Sequence, residues 1–179
     1  MVKASAALTG RTSVPDLVVA GILGIGISLS LSALMLVSKM QHVGALPVPL
    51  GVAFAAHLFG PATLAKSALL PVGLLLHLGY VSTATVIAAV MFRRRLGAVA
   101  AFGTALGLWV LAGVSVVPYV GWGLFGFGLG VGAGVNLLAI HLLYGAFLWA
   151  GLWVAFRRPA ASPVSGRSPV AGSPVGVSR

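Results

Sequence analysis

The chain has 179 residues, of which 59% are hydrophobic and only 7% charged, with a mean hydropathy of +1.11. A soluble domain needs roughly 25% charged residues to face water, so this composition excludes that class and suits lipid as solvent. The net charge of +10 comes from eleven Lys and Arg against one acid, Asp16, and there is no cysteine; disulfides, thiolate metal sites and thiol catalysis are excluded with it.

In chain order, residues 1–15 form a basic N-terminal arm carrying Lys3 and Arg11. The first apolar run, 16–38, opens on Pro15 and Asp16, which suit a helix start, and stops at Lys39. It exceeds twenty residues, which favours a retained membrane anchor over the short apolar region of a cleaved signal. The stretch 49–60 is apolar but holds only twelve residues before Gly60-Pro61. A bilayer core needs about 20 residues, so 49–60 reads as an interfacial or re-entrant segment, with Pro61 opening a helix that kinks at Pro71. A second span is predicted over 71–92, stopped by Arg93-Arg94-Arg95, and a third over 96–117, ending before Pro118. The fourth, 135–156, is followed by Arg157 and Arg158. The tail 159–179 repeats Ser-Pro-Val at 162–164, 168–170 and 173–175; nothing in it builds a core, and it is expected to be disordered. The domain layout is thus an arm at 1–15, a four-span domain at 16–158, and the tail.

Four spans put both ends on one side. That side holds Lys3, Arg11, Arg93, Arg94, Arg95, Arg157, Arg158, Arg167 and Arg179; the other has Lys39 and Lys66. The bias makes the basic side cytoplasmic. The charges flank apolar runs and form no basic face, which argues against nucleic acid as a partner.

One frame is written twice. His77-Leu78, Tyr80, Phe92, Arg93 and Arg94 recur in the same register as His141-Leu142, Tyr144, Phe156, Arg157 and Arg158. The second and fourth spans run in the same direction, each preceded by an opposing span and a Gly- and Pro-bearing outer loop. Two helical hairpins related by a pseudo-twofold along the membrane normal would produce this pattern. Each histidine then lies about 9 Å below the outer end of its helix, across the axis from the other, with Tyr80 and Tyr144 on the histidine faces. His42 and His57 fall in the outer loop.

Two readings of the histidines follow. In one, His77 and His141 are axial ligands to the iron of haem b, or hold a metal ion, with Tyr80 and Tyr144 supporting and His42 or His57 completing a metal site. In the other, they hydrogen-bond neighbouring helices. With Asp16, at a helix start, the only acid, no carboxylate can orient an imidazole, which leaves a backbone carbonyl or a hydroxyl for that task.

Other signals are weaker. GWGLFG at 121–126 matches a nucleotide fingerprint in letters only, since it follows a span and no acid lies beyond it. Seven glycines between 121 and 134, with Trp122, Phe125 and Phe127, read as an outer loop in the interface anchored by Trp122. Ala20, Gly24, Ser28 and Ser32 form a small-residue stripe, and Gly103 and Gly107 a second one. They serve internal packing, with the first and third spans against each other, or a homodimer face. With one acid, carboxylate-pair and Ser-His-Asp catalysis are both excluded, and no catalytic residue is assigned. Ion-coupled transport would need charged groups inside the spans. Ser28, Ser30, Ser32, Thr83, Thr85 and Thr104 are too few to line a permease.

Gly107-Leu108-Trp109, Pro118 with Gly121-Trp122-Gly123-Leu124-Phe125-Gly126, and His141-Leu142-Leu143-Tyr144-Gly145 resemble a group of small prokaryotic four-helix membrane proteins, loosely YagU-like. The likeness covers about 75–158 and includes a second-span histidine matching His77. It implies a multi-pass protein of a prokaryotic cytoplasmic membrane, and little about activity. The apolar stretch 41–70 departs from it. The expectation is therefore an all-α integral membrane four-helix bundle, both termini cytoplasmic. Its function is non-enzymatic, as a structural or accessory component with the bilayer, other membrane subunits or a second copy as partners. A haem- or metal-binding redox component is the alternative, and a small-solute permease a further one.

Overall fold

The computed structural model describes residues 14–41, 44–63, 65–92 and 97–156. Regular structure among them is entirely helical: α1 (Val14–Met40), α2 (Leu50–Thr63), α3 (Lys66–Phe92), α4 (Ala98–Val114), α5 (Val116–Tyr119), a 3-10 turn (Leu124–Leu129) and α6 (Val131–Phe156). The expected cytoplasmic tail at 159–179, the arm before Val14, Arg93-Arg94-Arg95 and His42 lie outside the described residues.

Four stretches are long and apolar enough to cross a membrane: Val14–Met40, Lys66–Phe92, Ala98–Tyr119 and Val131–Ala155. Between 22% and 28% of each is buried within the protein, so most of every span turns apolar side chains outward. Ile22, Leu75, Val99 and Val154 are among those most exposed. Water would penalise that surface, and lipid does not. The protein is an all-α, multi-pass membrane bundle.

Two span ends differ from the sequence expectation for local reasons. α3 begins at Lys66 and carries Pro71 inside it. Near a helix start a proline removes one backbone bond without ending the helix. α4 stops at Val114: Ser115 leaves helical geometry (φ −118°, ψ −70°), and Pro118 has no N–H with which to continue the ladder to the Val114 carbonyl. The apolar run resumes in α5. The segment expected at 49–60 is helical as α2, and its break falls at Gly60 (φ 69°, ψ 163°), where the following Pro61 disfavours helical geometry. At 14 residues, α2 is about 20 Å long and too short to span.

The four long helices form a ring in chain order. α1 lies along α3, α4 along α6, α1 along α6, and α3 touches α4 over a shorter stretch. Diagonal corners are thus α1 with α4 and α3 with α6. This corrects the expectation that the first and third spans pack on each other: the stripe faces α3 instead at Gly24 and Ser28. A Cβ added at Gly24 would sit 2.6 Å from the Ser82 Cα, so only glycine lets the two backbones come this near. Gly103 and Gly107 meet nothing within 4 Å and face outward. The core of the ring is built from small side chains, Ala20, Ala88, Ala101 and Ala105, around Leu31, Val81, Tyr144, Leu148 and Leu152.

A second core caps the end of the bundle where Lys39 and Lys66 lie. Ala53, Val117, Val120, Trp122 and Leu137 form it, with Leu46, Leu50 and Phe54 against them. Trp122 is only 7% exposed, so it pins this cap from inside and is not the interfacial anchor expected. Its loop is shaped by Gly121, Gly123, Gly126 and Gly130, all at positive φ, and by Phe125 at φ 53°, a costly conformation for a bulky residue. Phe125 is held there by the Trp109 ring, 4.5 Å away between centroids, and by the space left at Gly113. The glycines supply turns that wrap the loop onto the cap.

Candidate histidine site

α3 and α6 occupy opposite corners of the ring and carry His77 and His141. Both rings are half-buried. The cap lies over them: Gly51 of α2 crosses Gly73 of α3 in backbone contact, and a Cβ on Gly51 would be 3.5 Å from the His77 Cβ.

Each histidine uses Nδ1, with different partners. The His77 Nδ1 lies 3.1 Å from Ser28 Oγ and 3.1 Å from Ser32 Oγ, one turn apart on α1. The His141 Nδ1 lies 2.7 Å from the carbonyl of Leu137 in its own helix. A carbonyl only accepts, so His141 carries its proton on Nδ1, and in the neutral ring Nε2 keeps a lone pair. For His77 the serines admit both tautomers: a proton on Nδ1 shared between two hydroxyl oxygens, or a lone pair there accepting from a hydroxyl.

No protein-family model, curated protein or solved structure matches this chain.

Below the histidines a second polar contact crosses the ring. Thr85 donates its hydroxyl proton to the Val81 carbonyl at 2.8 Å, so the 3.3 Å contact between Tyr144 OH and Thr85 Oγ1 has the tyrosine as donor. Tyr144 and Thr85 are both buried, whereas Tyr80 is 40% exposed. The two tyrosines of the repeated frame are therefore not equivalent. Ser30 and Thr104 bond carbonyls of their own helices, Gly26 and Ala100. Ser82 Oγ and Trp109 Nε1 are buried without a hydrogen-bond partner.

Of the weaker metal candidates, His57 sits exposed on α2, edge-on to Tyr119 at 5.8 Å between centroids, and does not join the pair. No group of three or more His, Cys, Asp or Glu comes together among the described residues. Sequence reasoning singled out His77, His141, Tyr144 and the stripe as candidates. It missed that Ser28 and Ser32 are the partners of His77. The available signal was the i, i+4 spacing of Ser28 and Ser32 among the serines of α1, which puts both hydroxyls on one face within reach of one ring.

Proposed function

We propose that this protein is a non-enzymatic structural or accessory component of a membrane, in which the histidine pair and Tyr144 lock four weakly driven helices into one arrangement. In lipid, apolar side chains gain nothing from leaving the solvent, so helix association rests on close packing and interhelical hydrogen bonds. The observation that carries this reading is the clamp of Ser28 and Ser32 on His77 Nδ1. Of the hydroxyls that a permease would leave facing a path, Ser28 and Ser32 meet an imidazole, Thr85 meets a tyrosine and the backbone, and Ser30 and Thr104 bond the backbone. We further propose both termini on the cytoplasmic side of a prokaryotic cytoplasmic membrane, on the strength of the arginine bias, and kinship of 75–158 with the YagU-like group. Partners would be other membrane subunits or a second copy, for which the outward face of Gly103 and Gly107 leaves room.

A second reading has one specific observation in its favour. Ligating histidines characteristically donate their other ring N–H to a carbonyl or carboxylate, and His141 does so to Leu137. With His77 anchored at Nδ1 by hydroxyls, both Nε2 atoms are the nitrogens available to haem iron or a metal ion. The protein purified in mild detergent separates the readings by its visible spectrum, oxidised and dithionite-reduced, together with elemental analysis. The structural reading expects no Soret band and no stoichiometric metal, with reduced stability in His77→Ala. A Soret band lost in both His77→Ala and His141→Ala would replace it with the haem reading.

A further inference from the structure

A cavity of about 200 Å³ opens between the end of α1 and the start of α6, under the loop at 44–49. α1 and α6 are antiparallel, and their polarity along the cavity runs in step. At the capped end stand Lys39 on α1 and Asn136 on α6; deeper, the walls are Leu31 and Met35 from α1 and Ile140 and Leu143 from α6. From Lys39 to Leu31 the slot is about 12 Å deep. Charge at the membrane surface and hydrocarbon below is the profile of a lipid.

Lys39 is fixed at this mouth. Its Nζ donates to the Pro47 carbonyl at 2.8 Å, a contact with the loop and not with the last carbonyls of its own helix, so more than helix capping holds it there. An ammonium has three donors, which leaves two for a guest. Asn136 adds an amide donor opposite, and no acid lines the cavity.

We propose that this groove binds an anionic glycerophospholipid, with the phosphate on Lys39 and Asn136 and one acyl chain between α1 and α6. A single ammonium complements a phosphodiester of one negative charge. A choline headgroup would bring a second cation beside Lys39 and bind less well. The inference stands apart from the role of the histidines.

The test uses the full chain in detergent, exposed to equal amounts of dioleoyl phosphatidylglycerol and dioleoyl phosphatidylcholine, with bound lipid read by native mass spectrometry. The wild type is expected to favour phosphatidylglycerol about fivefold, the contribution of one basic residue at a membrane surface. Lys39→Gln abolishes the preference, while Lys66→Gln, a lysine away from the groove, keeps it. Ala139→Phe, which fills the cavity from α6, lowers binding of both lipids and provides the check if Lys39→Gln folds poorly. Equal binding of the two lipids by the wild type, or unchanged binding in Ala139→Phe, would overturn the proposal.

Discussion

The hydroxyl of Tyr144 reaches Thr85 Oγ1 at 3.3 Å across the diagonal of the helix ring. Thr85 has already given its proton to Val81, so the tyrosine donates, and its removal leaves no unsatisfied donor behind. Tyr144→Phe should therefore cost only about 0.6 kcal/mol, the mean for hydrogen bonds between membrane helices. Tyr144→Ala also empties a buried site and should cost about 3–5 kcal/mol. Unfolding in mixed micelles measures both.

Two serines share one nitrogen at His77. Ser28→Ala and Ser32→Ala each leave one hydroxyl in place, and each is expected to cost less than about 0.6 kcal/mol. The double variant strands the imidazole and should cost about 1–2 kcal/mol, more than the sum of the singles. A double-mutant cycle reads the non-additivity; strict additivity would mean that the serines do not compete for the ring.

Two glycines of the small-residue stripes differ in what surrounds them. Gly24→Val forces side-chain atoms into the backbone at Ser82 and should destabilise by about 1–3 kcal/mol or more. Gly107→Ala meets nothing within the chain and should be neutral or stabilising by up to about 1 kcal/mol. Thermal unfolding in detergent distinguishes them.

Trp122 and Phe127 share one loop but not one environment. Trp122 is buried in the cap and Phe127 is 54% exposed. Trp122→Ala should cost about 3–5 kcal/mol, whereas Phe127→Ala should stay within about 0.5 kcal/mol. Comparable losses in the two variants would put Trp122 back in the interface.

The chain has no cysteine, so single engineered thiols report sidedness cleanly. Leu124→Cys, on the exposed part of the cap, is expected to react with an impermeant maleimide added to intact cells. Ser165→Cys, in the Ser-Pro-Val tail, should react only after lysis. Labelling of the tail in intact cells would reverse the proposed orientation.

The number of spans was legible in the sequence because crossing a bilayer is a one-dimensional requirement, an apolar run of sufficient length between charges. The same run-length logic recognised 49–60 as too short, and the histidine frame placed His77 and His141 on opposite corners of the ring. What remained hidden was which face of each helix points inward. In water an amphipathic stripe marks the interior, but in lipid both faces of Val14–Met40 or Lys66–Phe92 are apolar, and the pattern carries no direction. So the Gly24 stripe could not declare α3 as its neighbour, and the i, i+4 spacing of Ser28 and Ser32 marked a shared face without saying that His77 lies on it. Trp122 looked like an anchor because glycine-rich loops at membrane ends are ordinarily wet. Only the tertiary structure, by folding α2 and the positive-φ glycines over the bundle end, decided that it is buried. Composition determined the solvent and the count of crossings; close packing of small residues, a property of pairs of helices and of neither alone, decided the rest.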